Sequence, residues 1–564
     1  MLAAKFSHNA DLVSNSLSLL YSRYMSKNSP LHRLFLIHSI EKRTKGGARM
    51  QLDSDKTRQL VDLILDSFRV RENHDPIYVE IGDSLKRLSS NQHQVVFGRR
   101  GSGKSCLFVH FLRQRESDTN KAVYVSVDAI KRLPFPDILT RILISIFEQL
   151  PSARRSWWKR FKTPSKVERT VVELRSLLDQ ANTAKVERTV KDARAAGAKI
   201  GSTRYVNASV ESSSESSSAT KEEFRREKLE HLERHLDDYK SAIKEALPRN
   251  RSFLYVLVDD FYLVSKEIQP DVVDYLHKLL RDTNAYLKLG TIRHRTVLRR
   301  HEGQTIGVEV GQDVEEISLD RTLGTFAETQ HFLVSMLNEL GKRVGIEDTS
   351  GQLFNADAAH ALTLASGGVP RDFLTIFTDA VRISIAQGKT SRLTPTYVWK
   401  AAAQNSLQNK RKNLSEDAGV DADALERAFA DIVNFCLQDK KKTAFLVSRE
   451  DAEKMPSEHE LLQQLMDFKL IHLIDGDTSA ASGRAGRFSA YVLDASLFME
   501  PRRRGIDHVQ FWQQDEQRRP LGVRESPIYP LDRIRNVVGS EPAKVLSLEA
   551  VLEGVESEEE MSPQ

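Results

Sequence analysis

The chain has 564 residues, of which 40% are hydrophobic and 29% are charged, and its formal net charge is +5. This length exceeds what one hydrophobic core usually supports and predicts two to four domains. No run of 18 or more apolar residues occurs, so the sequence predicts no membrane span. Its two cysteines, Cys106 and Cys436, form no Cys/His cluster, which disfavours a disulfide framework or a cysteine-based zinc site and favours a reducing compartment such as the cytoplasm.

The first 49 residues are rich in Ser, Lys and Arg and poor in acidic residues. Three interpretations of this basic extension are open. It is a targeting presequence, or it is a small basic helix that packs on the body of the protein, or translation starts at Met50, just before clear helical patterning begins. A secretory signal is disfavoured because no long apolar segment precedes a small-residue cleavage site.

Residues 50–320 alternate between predicted strands and helices, which indicates a parallel sheet with helices on both faces. The predicted strands cover residues 94–97, 122–128, 253–258, 285–292 and 314–319. The predicted helices cover residues 55–70, 105–113, 136–150, 221–246 and 271–283. Within this region, residues 152–221 become polar and then Ser-rich, and they predict a partly disordered insertion.

Two further domains are predicted after this core. Residues 321–415 show helical patterning without strands, which predicts a helical lid. Residues 416–500 combine two helices, near 423–437 and 457–468, with short strands at 443–447, 470–474 and 488–493, which is the order of a winged-helix domain. The tail, residues 501–564, has basic clusters, few apolar periods and an acidic end, and it is predicted to be largely irregular.

The segment from Gly98 to Ser105 fits the pattern G-x-x-x-x-G-K-[ST], with a predicted strand before it and a predicted helix after it. In such a P-loop, glycines let backbone N–H groups approach phosphate oxygens, and the helix N-terminus adds partial positive charge. Lys104 is predicted to reach the β- and γ-phosphates of ATP, and the Ser105 hydroxyl to ligate Mg²⁺. The predicted nucleotide-binding residues here are Gly98, Arg99, Arg100, Gly101, Ser102, Gly103, Lys104, Ser105 and Cys106.

A P-loop also predicts a second apolar strand that ends in an acidic residue on the metal side. The run of residues 256–260 supplies this strand end, with Asp259 followed by Asp260. Asp259 is the predicted Mg²⁺-side carboxylate, and Asp260 is the predicted general base that polarises the attacking water. The alternative for Asp260 is a cap on the following turn. Two other runs end in Asp128 and Asp475, but polar residues interrupt both.

With these motifs, residues 55–400 resemble the AAA+ and STAND classes of P-loop ATPases, and within AAA+ the origin-recognition initiator type. The resemblance implies a polar sensor residue at the end of the strand after Asp259, a position that Thr291 or Arg293 occupies. It also implies that Pro370 lies near the adenine and that Arg371 touches the γ-phosphate, because the run 367–371 opens a lid helix. The alternative for the two glycines of this run is an ordinary helix stop.

The chain departs from the initiator pattern in two respects. The second acidic residue after the apolar strand is an aspartate, Asp260, as it is in many STAND proteins. Initiator-type ATPases usually have a glutamate at this position. An arginine finger cannot be assigned, because five arginines follow the core helices in candidate positions: Arg281, Arg293, Arg295, Arg299 and Arg300.

The motifs predict an ATP-binding, Mg²⁺-dependent ATPase that acts as a nucleotide-dependent switch. Two classes of partner are open: double-stranded DNA, bound through the winged helix, or protein partners, including further copies of the chain, in regulation or defence. If DNA is bound, residues 457–468 would enter the major groove. This helix carries Glu458, Glu460 and Asp467 and has no Lys or Arg, which is unfavourable for phosphate contact. The wing offers Arg484 and Arg487.

Overall fold

The structure is a computed structural model that describes residues 50–68, 78–80, 83–115, 120–150, 164–179, 223–247, 252–417, 422–499 and 505–539. The basic extension, residues 1–49, the acidic end of the tail and most of the insertion lie outside these ranges. None of the helices in the described part of the chain combines the length and apolar character that a membrane crossing requires.

The strands and helices are numbered here in chain order. The strands are β1 Gln94–Phe97, β2 Lys121–Ser126, β3 Leu254–Asp259, β4 Ala285–Thr291, β5 Arg299–Glu302, β6 Gln304–Gly307, β7 Glu315–Ser318, β8 Ala444–Ser448, β9 Ile471–Thr478 and β10 Phe488–Leu493. The helices of the core are α1 Asp55–Ser67, α2 Ser84–Leu88, α3 Lys104–Gln114, α4 Asp137–Gln149, α5 166–179, α6 223–234, α7 Leu236–Ala246 and α8 Gln269–Leu280. Those that follow are α9 Phe326–Arg343, α10 Thr349–Leu353, α11 Ala356–Ala365, α12 Pro370–Ala386, α13 Pro395–Ala401, α14 Leu407–Asp417, α15 Ala422–Val433, α16 Arg449–Lys454, α17 Pro456–Asp467 and α18 Asp532–Val538.

The core of the molecule is a five-stranded parallel sheet with the order β2-β3-β4-β1-β7. Every residue of β3 is buried, as expected for a strand covered on both faces. On one face the sheet packs against α4, α7 and α8, and on the other face against α3. The predicted fold class, a P-loop sheet with helices on both faces, is confirmed.

Part of the predicted insertion is folded. Residues 166–179 form α5, whose Leu174 and Leu177 are buried in the core beside α4. Arg175 of α5 also lies 2.7 Å from Glu148 of α4. Apolar contacts and this ion pair therefore attach α5 to the sheet domain.

The lid contains the helices α9 to α13 and also α1. Leu60 and Ile64 of α1 are fully buried among lid residues such as Leu333 and Phe377. The sequence places α1 in the ATPase core, because helical periodicity shows that a helix has a buried face but not which domain covers that face. In the structure α1 packs on the lid.

The third domain has the winged-helix arrangement. Its three strands form an antiparallel sheet with the order β8-β10-β9, and α15 and α17 bury their apolar faces against it. Part of the tail packs on the winged-helix domain. Residues 505–539 pack on this domain, with bridges from Asp507 to Lys442 and from Ile528 to Leu446, and they bury Tyr529. Residues 505–539 contain few helices or strands. Their apolar residues therefore show no hydrophobic periodicity from which this packing could be predicted.

Three buried polar side chains meet where α14, the helix that follows the lid, packs on the winged-helix domain. Lys410 of α14 lies 2.6 Å from Asp494, and His472 of β9 lies 2.8 Å from the same carboxylate. Burial alone would raise the pKa of Asp494, but Lys410 and His472 together hold it well below its usual range. The ring of His472 also covers Gly367, where an added Cβ would lie 2.1 Å from its Cε1. The junction is therefore closely packed.

We expect Asp494→Ala to lower the free energy of unfolding by about 3–5 kcal/mol, because the ammonium of Lys410 would stay buried without its partner. Urea unfolding followed by circular dichroism measures the loss. Asp477→Ala is the matched control, since the ion pair of Asp477 with Arg449 is half exposed and should contribute less than about 1 kcal/mol. Equal losses in the two variants would contradict a structural role for the buried junction.

Candidate nucleotide-binding site

The P-loop connects β1, near the centre of the sheet, to α3. Gly98 continues the strand, since its N–H donates to the Thr291 carbonyl at 3.1 Å. Gly101 and Gly103 have φ values of 90° and 101°, in the left-handed region that favours glycine. Because α3 begins directly after Gly103, the loop and the helix N-terminus direct N–H groups toward the same point at the carboxyl edge of the sheet.

Lys104 is buried and turns back toward its own loop. Its ammonium donates to the Gly98 carbonyl at 2.6 Å and to the Arg99 carbonyl at 3.3 Å. Burial lowers the pKa of Lys104, while the nearby charges of Asp259 and Asp260 act in the opposite direction. The hydroxyl of Ser102 is also buried, and it has no hydrogen-bond partner among the residues that the structure describes. Buried polar atoms are rarely left unpaired, so this loop is suited to accept an anionic ligand.

The two acidic residues after β3 lie close to this ammonium. Asp259 is fully buried, and its carboxylate accepts from the Tyr124 hydroxyl at 2.9 Å and from the Asp260 N–H at 2.9 Å. Asp260 has a left-handed backbone with φ 56°, which turns the chain sharply after the strand. Burial, followed by the charge of Asp259, raises the pKa of Asp260 to about 6. A carboxylate in this pKa range can act as a general base near neutral pH.

The donor set around the loop fits magnesium. Mg²⁺ is bound by oxygen ligands and keeps several water molecules. The Ser105 hydroxyl at the start of α3 and the carboxylate of Asp259 at the end of β3 supply such oxygens. The buried position of Asp259 beside the ammonium of Lys104 places this oxygen set next to the phosphate loop.

The predicted sensor position lies beside the P-loop. Thr291 ends β4 and pairs with Phe97, the last residue of β1, and its hydroxyl is hydrogen-bonded to the Thr296 hydroxyl. Arg293 is directed elsewhere, because it pairs with Glu316 and lies over the Phe97 ring at 4.2 Å. Of the two sensor candidates, Thr291 is therefore the one at the edge of the site.

The lid reaches the P-loop through the start of α12. The N–H of Arg371 donates to the Gly101 carbonyl at 3.3 Å. A Cβ at position 101 would lie 2.9 Å from the Arg371 Cβ, so this close approach requires glycine. The guanidinium donates to the Phe68 carbonyl at 3.1 Å, and burial lowers the pKa of Arg371. Pro370 is the first residue of α12, which places both predicted lid residues at the nucleotide loop.

Arg99 and Arg100 have different surroundings. The Arg99 N–H donates to Asp320 at 2.7 Å, and its guanidinium donates to the carbonyls of Arg321 at 2.7 Å and Gly367 at 3.2 Å. The side chain of Arg99 thus joins the P-loop to the lid. Arg100 lines the adjoining cavity, and Cys106 is partly buried on α3.

A cavity of about 350 Å³ adjoins the P-loop between the core, the lid and the winged helix. It is lined by Arg100, Tyr262, Ile292, Arg295, Arg371, Asp372, Thr375, Ile376, Asn409, Lys410, Lys412, Asn413, Glu416, Asp467, Phe468 and Lys469. Arg295 lies over the Phe468 ring at 4.7 Å. Burial raises the pKa of Asp467 to about 7, although Arg295, Arg99 and Lys104 each lower it.

Sequence reasoning missed Asp467 as a residue of the site and left Arg295 among five candidate arginines. Three of the others are engaged in ion pairs: Arg293 with Glu316, Arg299 with Glu309 and Arg300 with Asp271. The acidic character of α17 was the one sequence signal for Asp467. Its place beside the P-loop depends on contact between domains distant in sequence.

Comparisons with known proteins find similar solved structures at low sequence identity. No protein-family model matches the chain, and no characterised protein matches it in sequence. Among solved structures, the Aeropyrum pernix Orc1 protein in complex with DNA is similar at 13% identity, over 78% of this chain and 90% of that chain, with a TM-score of 0.29. Drosophila ORC bound to DNA is similar at 12% identity, over 83% of this chain and 97% of that chain, with a TM-score of 0.33. Because both TM-scores are low, the architecture is inferred from the strand order and the P-loop of the chain itself: an AAA+-like P-loop core, a helical lid and a winged helix.

Proposed function

We propose that this chain is an ATP-binding and ATP-hydrolysing switch whose nucleotide state controls the exposure of its winged helix. The observation that carries the proposal is the position of Asp467. This carboxylate belongs to the winged-helix domain, yet it is buried in the electrostatic field of Lys104 and Arg99 at the P-loop. Bound phosphate groups would carry negative charge into the same field and would compete with the carboxylate for these cations.

In this proposal the core residues bind the triphosphate and orient the attacking water. Backbone N–H groups of the P-loop and the ammonium of Lys104 hold the phosphates. Ser105 and Asp259 hold Mg²⁺, which neutralises phosphate charge when bound. Asp260 accepts a proton from the attacking water, and its raised pKa suits this role. Arg371 transmits the state of the loop to the lid, because its N–H is bonded to the Gly101 carbonyl.

The helix α17 is covered in this conformation. Glu460 lies 2.7 Å from Lys266 of the core, and Glu458 lies 2.6 Å from Arg535 of the tail. With Asp467 at the P-loop, each of the three acidic residues of α17 has a function inside the chain. This accounts for the acidic character that makes the helix unsuited to DNA phosphates. It also means that a partner can reach the core-facing side of α17 only after the winged helix moves away.

DNA is the first partner class in this proposal, since both similar structures are DNA complexes by their descriptions. The second candidate, a protein partner, is supported by the wing. Its arginines lie near acidic residues of the same domain, Arg484 at 3.9 Å from Asp451 and Arg487 at 3.8 Å from Asp477. Such pairing reduces the positive field that attracts DNA.

The first prediction concerns nucleotide binding. We expect Lys104→Ala to weaken ATP·Mg²⁺ binding by about 30- to 4,000-fold, because removing one member of a buried charge pair costs about 2–5 kcal/mol. Isothermal titration calorimetry measures the affinity. Lys278→Ala is the control, since Lys278 pairs with Asp274 at the surface of α8. No saturable heat from the unmodified chain would end the proposal, and unchanged affinity in Lys104→Ala would remove Lys104 from the site.

Hydrolysis is tested at Asp260. Asp260→Asn should keep ATP affinity and lose turnover by about 100- to 10,000-fold, the range over which general bases contribute. Because the base must be ionised and the pKa of Asp260 is raised to about 6, the rate of the unmodified chain should fall as the pH is lowered through about 6. A phosphate-release assay across pH 5 to 8 measures both effects. Normal turnover in Asp260→Asn would exclude Asp260 as the base.

The switch is tested by hydrogen exchange of α17. Addition of ATP·Mg²⁺ should increase the exchange of amides in Pro456–Asp467, because phosphate competes with Asp467 for the cations of the loop. In Asp467→Asn this increase should be smaller, because the uncharged asparagine side chain does not compete with phosphate for the cations of the loop. The measurement is made at pH 8, above the raised pKa of about 7, so that Asp467 is mostly ionised. Asp477→Asn, in the exposed wing, is the control.

Titration of duplex DNA at two salt concentrations then separates the partner classes. DNA binding that appears only with ATP and weakens steeply with salt supports the first class. Exposure of α17 without DNA affinity in either nucleotide state assigns the released surface to a protein partner. If α17 exchanges identically with and without ATP, nucleotide does not control the winged helix.

A further inference from the structure

Three potential metal-binding side chains converge between α5 of the insertion and the helix pair α6–α7 that follows it, away from the candidate nucleotide site. They are Glu173 on α5, His231 on α6, and His235 at the junction of α6 and α7. One ligand atom from each residue lies within 4.8 Å of the others. Their side chains are 34%, 31% and 33% exposed, so an ion can reach them from solvent while they remain anchored on helices.

The backbone places the two imidazoles on one face. The His235 N–H donates to the His231 carbonyl at 3.1 Å, and the Tyr239 N–H donates to the His235 carbonyl at 3.0 Å. Helical hydrogen bonds therefore continue through the junction, and residues four apart project to the same side. The ring centroids of His231 and His235 are 4.4 Å apart.

The separations are close to those of a tetrahedral metal site. His231 Nε2 lies 2.8 Å from Glu173 Oε1, and His235 Nδ1 lies 4.0 Å from the same oxygen. Zinc–nitrogen and zinc–oxygen bonds of about 2.0–2.2 Å place tetrahedral ligands roughly 3.3–3.5 Å apart. The two observed separations lie on either side of this value, and all three ligand atoms lie within 4.8 Å of one another, so side-chain shifts of about 1 Å would complete the site.

A second layer of contacts supports the ligands. The Tyr239 hydroxyl donates to Glu173 Oε1 at 3.0 Å. Outer contacts of this kind orient metal ligands and tune their affinity. Asp238 lies 3.1 Å from His235 Nδ1, and metal binding would replace this contact.

We propose that Glu173, His231 and His235 bind a divalent transition-metal ion of the zinc class, with water at the remaining position. Two imidazoles and one carboxylate favour zinc-like ions over Mg²⁺, which prefers oxygen ligands alone. The ion joins α5 to the α6–α7 pair, which is itself held to α4 by Lys228 at 2.6 Å from Asp137. No cysteine takes part, so the cysteine pattern of the sequence carries no signal for the site.

The test uses the full chain, without an affinity tag, after treatment with a chelator. Titration with Co²⁺ should produce the visible absorption of a low-symmetry nitrogen and oxygen site at one ion per chain, and Zn²⁺ should displace it. Glu173→Gln should weaken Zn²⁺ binding by about 100-fold or more, since even second-layer contacts contribute 10- to 100-fold. Glutamine keeps an acceptor for the Tyr239 hydroxyl, so the fold should be retained, and circular dichroism checks this.

Two controls separate this site from others. Asp238→Asn should keep Zn²⁺ affinity, because Asp238 is not a ligand. Ser105→Ala removes the metal hydroxyl of the P-loop and should leave the Co²⁺ spectrum unchanged. His235→Ala provides a second ligand variant and should also lose affinity. The absence of a Co²⁺ band in the unmodified chain, or equal Zn²⁺ affinity in Glu173→Gln, His235→Ala and the unmodified chain, would overturn the proposal.

Discussion

A backbone hydrogen bond joins the two halves of the candidate nucleotide site, from the Arg371 N–H at the start of the lid helix α12 to the Gly101 carbonyl in the P-loop. It forms only because position 101 has no side chain, since a Cβ there would collide with Arg371. The guanidinium of Arg99 adds a second connection through the Gly367 carbonyl. The phosphate loop and the lid are thus in direct contact, and a ligand that reorders the loop acts on the lid without an intermediate element.

Buried charges then connect the lid to the winged helix. Lys469, which follows α17, lies 3.0 Å from Asp372, the residue after Arg371. His472, which shares the carboxylate of Asp494 with Lys410, also packs against Gly367 of the lid. Buried pairs of this kind add little net stability relative to apolar packing, but loss of one partner is costly. They therefore favour one relative placement of the two domains. Asp467 differs because, within the described part of the chain, its buried Oδ2 atom has no hydrogen-bond partner.

Several elements follow from local pattern alone. The apolar run of β3 is one short segment of the chain, and it predicts a buried strand of the sheet. The glycines before Lys104 lie within another short segment, and they predict the phosphate loop. The hairpin β5–β6 was not predicted, because its strands Arg299–Glu302 and Gln304–Gly307 are short and polar and lack an apolar alternation. The packing of residues 505–539 was not predicted for a related reason: Val509, Phe511 and Tyr529 are buried singly from irregular backbone. The sequence did not assign α1 to the lid, because its periodicity shows a buried face but not that lid residues cover this face.

The sequence by itself determined the P-loop from Gly98 to Ser105, the acidic strand end at Asp259 and Asp260, and the order of core, lid and winged helix, because each depends on residues adjacent in the chain. Only the tertiary structure decided which of the five candidate arginines lines the cavity, namely Arg295, and that α17 faces the core. It also decided that Glu173 lies beside His231 and His235. These features depend on side chains that are distant in sequence. Hydrophobic periodicity shows that a face is buried but does not specify what covers it.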